Sequence, residues 1–150
     1  MKIAIASDHA GYVLKAGVIK HLSGKGVVYQ DYGCFSEESV DYVDFAVSAM
    51  EAVLKGECDR AILVCGTGLG MGIVANKFKG IRATPCVDAY MAEMSRSHNN
   101  SNCLTLGGRI LPIDEALPVV DTWLEASFES GRHGDRLQKI KDIENKHFRL

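Results

Sequence analysis

Short apolar runs alternate with longer amphipathic stretches along the whole of this 150-residue chain. Apolar runs of this length predict buried strands, whereas apolar residues that recur every three or four positions predict helices. The predicted strands are Ile3–Ser7, Val27–Tyr32, Ala61–Val64, Ile81–Val87 and Cys103–Leu106. The predicted helices are Val13–Leu22, Phe45–Leu54, Ala89–Ser97, Asp114–Phe128 and about Asp135 to Lys146.

This alternation favours a parallel sheet that helices cover on both faces. We therefore expect an α/β fold, a Rossmann-like three-layer sandwich with a five-stranded parallel sheet and an additional C-terminal helix. The length suits one domain over residues 1–150, and no repeat or linker interrupts it. Open sheets of this kind bind ligands beyond the carboxyl ends of their strands.

The composition argues against several classes of function. The chain is 47% hydrophobic and 24% charged with a net charge of −2, so neither nucleic acid nor an anionic membrane is an expected partner. No apolar run approaches the roughly 20 residues of a membrane span, and the apolar N-terminal stretch is too short for a signal peptide. The five cysteines include no pair at CxxC spacing, which disfavours zinc sites and disulfides. We expect a cytoplasmic protein whose thiols are mostly buried.

The segment from Ile62 to Gly72 carries the strongest functional signal. Cys65 ends a predicted strand, and four glycines follow at alternate positions. Such a loop lets backbone N–H groups converge on an oxyanion or phosphate, and the start of a helix adds its positive end. The spacing fits neither the dinucleotide nor the Walker motif, and no arginine follows as in a cysteine phosphatase. We interpret the segment as an anion hole beside a thiol.

Polar groups also lie near the ends of other predicted elements. Ser7-Asp8-His9 follows the first strand, Gly107-Gly108-Arg109 follows the fifth, and Ser97-His98-Asn99-Asn100 ends a helix just before the fifth strand. We expect these groups to meet Cys65 at or near one edge of the sheet. Four structural alternatives stay open: Asp8 caps a helix, the asparagines form a left-handed helix end, Gly107-Gly108 is only a turn, and Cys65 is a residue of the core.

Arg132 and Arg136 lie four residues apart, which places both guanidinium groups on one face of a helical turn. Two arginines in this arrangement suit a phosphate dianion, which accepts bidentate hydrogen bonds. The alternative is a solvated charged face. His21 and His147 lie on polar helical faces, and we expect both to be exposed.

Seven short motifs occur in an order that resembles the type B ribose-5-phosphate isomerases and the galactose-6-phosphate isomerase subunits. They are Ser7–Gly11, Asp41-Tyr42, Cys65–Gly70, Ala75–Lys77, Gly80–Ala83, Ser95–Asn99 and Gly131–His133. The resemblance covers essentially the whole chain. It implies an aldose–ketose isomerase that needs neither a metal nor another cofactor and works through a cis-enediolate. Ribose 5-phosphate and ribulose 5-phosphate are the first candidate substrates.

The resemblance implies catalytic roles for three residues. Cys65 would move a proton between C1 and C2, and His98 would assist opening of the furanose ring. The hydroxyl of Thr67 would hold the enediolate oxygens together with loop N–H groups, which belong to Gly66, Gly68, Leu69 and Gly70. Some relatives use a carboxylate as the base, but positions 65–77 contain no Asp or Glu, which favours the cysteine.

The remaining implied residues bind the substrate. Asp8 and Tyr42 would orient sugar hydroxyls. The phosphate would be bound by His9, Arg132 and Arg136, and the pocket would be completed by Asn99 and Arg109. The resemblance also implies a homodimer or tetramer with its sites between subunits.

The chain departs from the family pattern at Gly72, where a serine is frequent, and at Asn100, where an aspartate is frequent. Neither departure removes a proposed catalytic group, and we expect both to bear on the choice of sugar. The alternative substrates are galactose 6-phosphate, allose 6-phosphate and a tetrose phosphate. A phosphosugar-binding protein without catalysis is an alternative from a different functional class.

Overall fold

The computed structural model describes residues 1–148 and confirms the predicted α/β sandwich. The strands are β1 (Lys2–Ser7), β2 (Val28–Asp31), β3 (Arg60–Cys65), β4 (Ala83–Pro85) and β5 (Cys103–Gly107). The helices are α1 (Tyr12–Gly24), α2 (Tyr42–Leu54), α3 (Leu69–Ala75), α4 (Ala89–Ser97), α5 (Ile113–Glu125) and α6 (Arg132–His147). All neighbouring strands pair in parallel, in the order β2-β1-β3-β5-β4. The strands therefore begin at one edge of the sheet, the amino edge, and end at the other, the carboxyl edge.

Successive residues of β1 face opposite layers of the sandwich. Ile3 and Ile5 pack with buried residues of α1, α4 and α5 on one face of the sheet. Ala4 and Ala6 pack with buried residues of α2 and α3 on the other face. Because both faces are covered, the central strands are apolar throughout and do not alternate with polar residues. The five cysteines are free and buried, as expected.

Strand β4 is shorter than the predicted Ile81–Val87 because its ends take other hydrogen bonds. The backbone N–H of Arg82 donates to the side chain of Asn102 at 2.7 Å. Pro85 has no N–H to add to the ladder. Since β4 is an edge strand with β5 as its partner, a proline at its end leaves the rest of the sheet intact.

Helices α2 and α6 begin earlier than their apolar patterns predict. Asp41 caps α2 by accepting a hydrogen bond from the N–H of Val43 at 2.9 Å, which starts the helix at Tyr42. Helix α6 starts at Arg132 because the preceding Gly131 has a φ of 62°, which is not helical and turns the chain before the helix. The predicted patterns begin later because neither first turn continues the buried apolar period: residues 42–44 are exposed, and residues 132–134 are not apolar.

A buried lysine ties α1 to the end of β2. Lys15 is 1% exposed, and its Nζ donates at 2.6 Å to both the carboxylate of Asp31 and the carbonyl oxygen of Cys34. The same carboxylate accepts from the N–H of Gly33 at 2.9 Å. These bonds fix the start of the connection that leads to Tyr42.

The prediction that His21 is exposed is wrong, whereas His147 is exposed as expected. Helices α1 and α5 pack side by side, and Nε2 of His21 lies 2.7 Å from the carboxylate of Asp121. Lys25 shares that carboxylate at 2.7 Å. None of the helices within residues 1–148 is both long and apolar enough to cross a bilayer.

Candidate active site

The thiol of Cys65 lies under the glycine loop at the end of β3. The residue is 5% exposed, and its Sγ accepts a hydrogen bond from the N–H of Gly68 at 3.2 Å. Gly68 has a φ of 79°, and a Cβ there would lie 3.0 Å from the carbonyl carbon of Leu106. Only glycine fits both conditions, so this turn fixes the thiol relative to the start of α3.

The loop offers hydrogen-bond donors at the start of α3. The hydroxyl of Thr67 accepts from the N–H of Leu69 at 3.3 Å, and the first intrahelical bond runs from Gly72 to Gly68 at 3.2 Å. The N–H groups of the first helical turn have no acceptor within the helix. The N–H of Gly70, which is half-buried, is therefore available to an anionic ligand.

Two side chains from other elements flank this loop. The ring of Tyr42, at the start of α2, lies so close to Gly70 that a Cβ there would be 2.9 Å from two ring carbons. The Arg109 side chain lies beside Gly66, with Cδ and Nη1 each 3.6 Å from the position of a Cβ. The backbone N–H of Arg109 donates to the carbonyl oxygen of Gly66 at 3.0 Å.

Asp8 and His9 follow β1 at the same edge. Asp8 is 7% exposed, and its carboxylate accepts from the N–H of Gly11 at 2.9 Å. Gly11 is itself the N-cap residue of α1 and no side chain caps that helix, so Asp8 orders the turn before α1 but is not its cap. Nδ1 of His9 accepts from the N–H of Val40 at 3.2 Å. A neutral imidazole that accepts through Nδ1 carries its proton on Nε2, which leaves that nitrogen free to donate to a ligand.

The carboxyl edge thus brings together a large part of the predicted site. The residues found there are Asp8, His9, Tyr42, Cys65, Gly66, Thr67, Gly68, Leu69, Gly70 and Arg109. A thiol, a set of backbone donors, a carboxylate and a phenol surround one open loop. This arrangement suits proton transfer at a carbon next to an oxygen that becomes negatively charged.

The expectation that His98 meets Cys65 at this edge is wrong for a single chain. Helix α4 runs back from the carboxyl edge, so its C-cap, His98, lies at the amino edge, where β5 begins at Cys103. Cys65 pairs with Gly107 at the other end of β5. At about 3.3 Å per residue, the two ends of this strand lie roughly 13 Å apart.

A second polar cluster surrounds His98 at the amino edge. The rings of His98 and His133 stack with centroids 4.1 Å apart and planes 8° from parallel. Arg132 and Arg136 are exposed on the first turns of α6, which begins beside this pair. Burial lowers the pKa of His133, and the positive charges of His98, Arg132 and Arg136 lower it further, while Glu129 raises it.

Two arginines hold the turn that carries His98 and Asn99. Arg96 donates to the side chain of Asn100 at 2.9 Å, and Nε of Arg82 donates to the carbonyl oxygens of Asn99 and Asn100 at 3.0 Å. Asn100 has a φ of 46°, which confirms the left-handed helix end as a structural role. The side-chain oxygen of Asn100 thus serves this turn by accepting from Arg96.

No sequence pattern predicts a role for His133 or Glu129. His133 appeared only as part of the motif Gly131–His133, and Glu129 lies outside any predicted element. Their proximity to His98 depends on α6 starting beside the end of α4, which no local pattern reveals.

His98, Glu129 and His133 each place one potential metal ligand atom within 4.8 Å of the others. A metal bound to imidazole lies in the ring plane, about 2 Å from the nitrogen. Because the two ring planes are nearly parallel and face each other, one ion cannot lie in both. In this arrangement the two histidines do not fit a shared metal.

Gly72 faces the sheet beneath the loop. It is buried, and a Cβ there would lie 3.4 Å from Oγ1 of Thr105 on β5. This hydroxyl is itself buried without a hydrogen-bond partner among the described residues. A side chain at position 72 would therefore act first on packing under α3.

We predict that Gly72→Ser stabilises the protein by giving the hydroxyl of Thr105 a partner. The expected gain from that hydrogen bond is about 1 kcal/mol in the free energy of unfolding, measured in urea. Gly72→Ser in a Thr105→Val background is the control, since it keeps the effect on helix propensity and removes the partner. Equal gains in the two backgrounds would contradict the predicted bond.

Comparison with known proteins identifies the family and agrees with the fold. Residues 3–140 match the family described as Ribose/Galactose Isomerase. Ribose-5-phosphate isomerase B of Escherichia coli K12 is 45% identical over 97% of each chain. The structure of Clostridium thermocellum ribose-5-phosphate isomerase B has a TM-score of 0.96 at 53% identity, covering 98% of this chain and 99% of that one. Ribose-5-phosphate isomerase B from Mycoplasma genitalium with bound ribulose-5-phosphate has a TM-score of 0.92 at 39% identity over 97% of each chain. The chain belongs to the Ribose/Galactose Isomerase family.

Proposed function

We propose that this protein interconverts ribose 5-phosphate and ribulose 5-phosphate as a cofactor-independent aldose–ketose isomerase. The observation that carries the proposal is the Cys65 thiol held under a loop of backbone donors. The similarity to a ribose-5-phosphate isomerase B and to a relative with bound ribulose-5-phosphate supports the choice of substrate.

The first step opens the furanose ring. His98 donates a proton to the ring oxygen as the bond from that oxygen to C1 breaks. The C1 hydroxyl gives its proton to water, and C1 becomes an aldehyde. The half-buried position of His98 at the end of α4 leaves the ring accessible to a sugar.

The second step moves a proton from C2 to C1. The thiolate of Cys65 takes the C2 proton, which leaves an enediolate with its charge on O1. A proton then passes from O2 to O1, and the thiol returns its proton to C1 to give the ketose. Thr67 and the N–H groups of Gly66–Gly70 stabilise the oxygens that carry the charge.

The other site residues bind and orient the sugar phosphate. Asp8 and Tyr42 hydrogen-bond to hydroxyls beside the loop. His9 donates through Nε2 to the phosphate, with Arg132 and Arg136 as its other ligands. Asn99 and Arg109 complete the pocket.

These roles require two copies of the chain. His98, Asn99, Arg132 and Arg136 lie at the amino edge, whereas Cys65 and its loop lie at the carboxyl edge. We infer at least a homodimer in which each site combines the carboxyl edge of one copy with the amino edge of the other. A two-fold axis then forms two equal sites, and a tetramer would pair two such dimers.

We also infer that the protein works in the cytoplasm. All five cysteines are free, and a thiol base such as Cys65 needs a reducing compartment.

We predict measurable interconversion of ribose 5-phosphate and ribulose 5-phosphate in the presence of EDTA. A panel of aldose phosphates, with ribose, allose and galactose phosphates and erythrose 4-phosphate, is compared by kcat/KM, since this ratio defines specificity. Ribose 5-phosphate is expected to give the highest value. A higher kcat/KM for a tetrose or hexose phosphate would make that sugar phosphate the assigned substrate. Binding without turnover of any sugar would favour a phosphosugar-binding protein.

We predict that Cys65→Ala lowers kcat by about 10²- to 10⁴-fold, the usual contribution of a general base. Calorimetry with ribitol 5-phosphate, which cannot react, is expected to show nearly unchanged binding. Cys103→Ala is the matched control, because it removes a buried thiol at the opposite end of the sheet from the loop. Full activity in the Cys65→Ala protein would exclude the thiol as the base.

We predict that two inactive variants restore activity when they share a dimer. Cys65→Ala and His98→Asn are mixed in equal amounts, unfolded and refolded, so that half of the dimers are mixed. Each mixed dimer has one intact site, so the expected activity is about a quarter of the wild-type value. Activity no higher than that of either variant alone would contradict sites shared between copies.

A further inference from the structure

The backbone of Glu129 is attached to the helix that carries His98. Glu129 lies in the connection between α5 and α6, and its N–H donates to the carbonyl oxygen of Ser97 at 2.8 Å. Ser97 is the last residue of α4 and directly precedes His98. This bond fixes the connection beside the imidazole, although Glu129 itself is exposed.

The carboxylate of Glu129 lies close to both stacked rings. One of its oxygens, a ring nitrogen of His98 and a ring nitrogen of His133 all lie within 4.8 Å of one another. Rotation of the exposed carboxylate or one bridging water would complete a hydrogen bond over this distance. Catalytic hydrogen bonds are often long in ligand-free enzymes and shorten when the substrate binds.

We propose that Glu129 is a positioning residue for His98, orienting its imidazole and supporting the positive charge that it needs to protonate the ring oxygen of the sugar. This inference rests on the proposed function, because it concerns the ring-opening step. It adds a residue to the site that neither the motifs nor the substrate-binding roles include.

The charges around His98 explain why a carboxylate is needed there. Arg132 and Arg136 come from the first turns of α6, and their positive charges act on His133, which stacks on His98. Two stacked imidazoles also repel each other when both are protonated, and burial already lowers the pKa of His133. The carboxylate of Glu129 raises the pKa of His133 and so offsets part of the positive charge beside the stacked rings.

The test compares Glu129→Gln with Glu125→Gln, which removes the same charge from the exposed end of α5. We expect Glu129→Gln to lower kcat/KM for ribose 5-phosphate about tenfold near pH 8 and to move the alkaline limb of its pH profile to lower pH. Glu129→Asp is expected to recover part of both effects. Glu125→Gln is expected to match the wild type, and the melting temperatures of all variants should agree.

Nitrogen-15 spectra of the histidine rings provide a measurement that needs no activity. Glu129→Gln is expected to shift the ring resonances of His98 and His133, whereas Glu125→Gln leaves them unchanged. An alkaline limb that coincides with the wild type would overturn the proposal, even if the resonances shift. If the wild-type protein does not isomerise ribose 5-phosphate, the proposed function fails, and the ring spectra alone decide whether Glu129 orients His98.

Discussion

The common direction of the five strands is the constraint on which the arrangement of this site depends. Each strand carries the chain to the carboxyl edge, and each helix between strands brings it back to the amino edge. Side chains that follow strands therefore collect at one edge, and those that end such helices collect at the other. Cys65 belongs to the first group and His98 to the second. No rotation of side chains closes a gap of about 13 Å, which is why the proposed chemistry needs a second copy.

Within the carboxyl edge, backbone conformation controls the geometry of the loop around Cys65. The left-handed turn at Gly68 directs an N–H group at the Cys65 sulfur, and the close approach of Tyr42 requires a glycine at position 70. The glycines at positions 68 and 70 are thus accommodated for different physical reasons, one conformational and one steric. Gly72 is buried against the sheet beside Thr105, so this departure from the family changes the support of the loop and not its open side.

The amino edge shows the opposite situation, in which side chains hold the backbone. Arg82 and Arg96 donate hydrogen bonds to the backbone carbonyl and side-chain amide oxygens of Asn100, in the turn after α4. These bonds fix the backbone that follows His98. The stacked ring of His133 and the tethered Glu129 then define its surroundings. The spacing of Arg132 and Arg136 predicted one face of a helical turn, and both lie on α6, which starts before the predicted Asp135. The residue of this motif that meets His98 is His133.

The sequence by itself determined the order and type of the elements, the parallel sheet and the thiol-and-glycine loop, because these depend on apolar periodicity and on residues adjacent in the chain. It also predicted the helix end at Asn100, a local property of asparagine. Only the tertiary structure decided that β4 is short, that His21 pairs with Asp121, and that His98 lies away from Cys65. Those outcomes depend on contacts between residues far apart in the chain and on the direction in which each helix returns, and no local pattern encodes either.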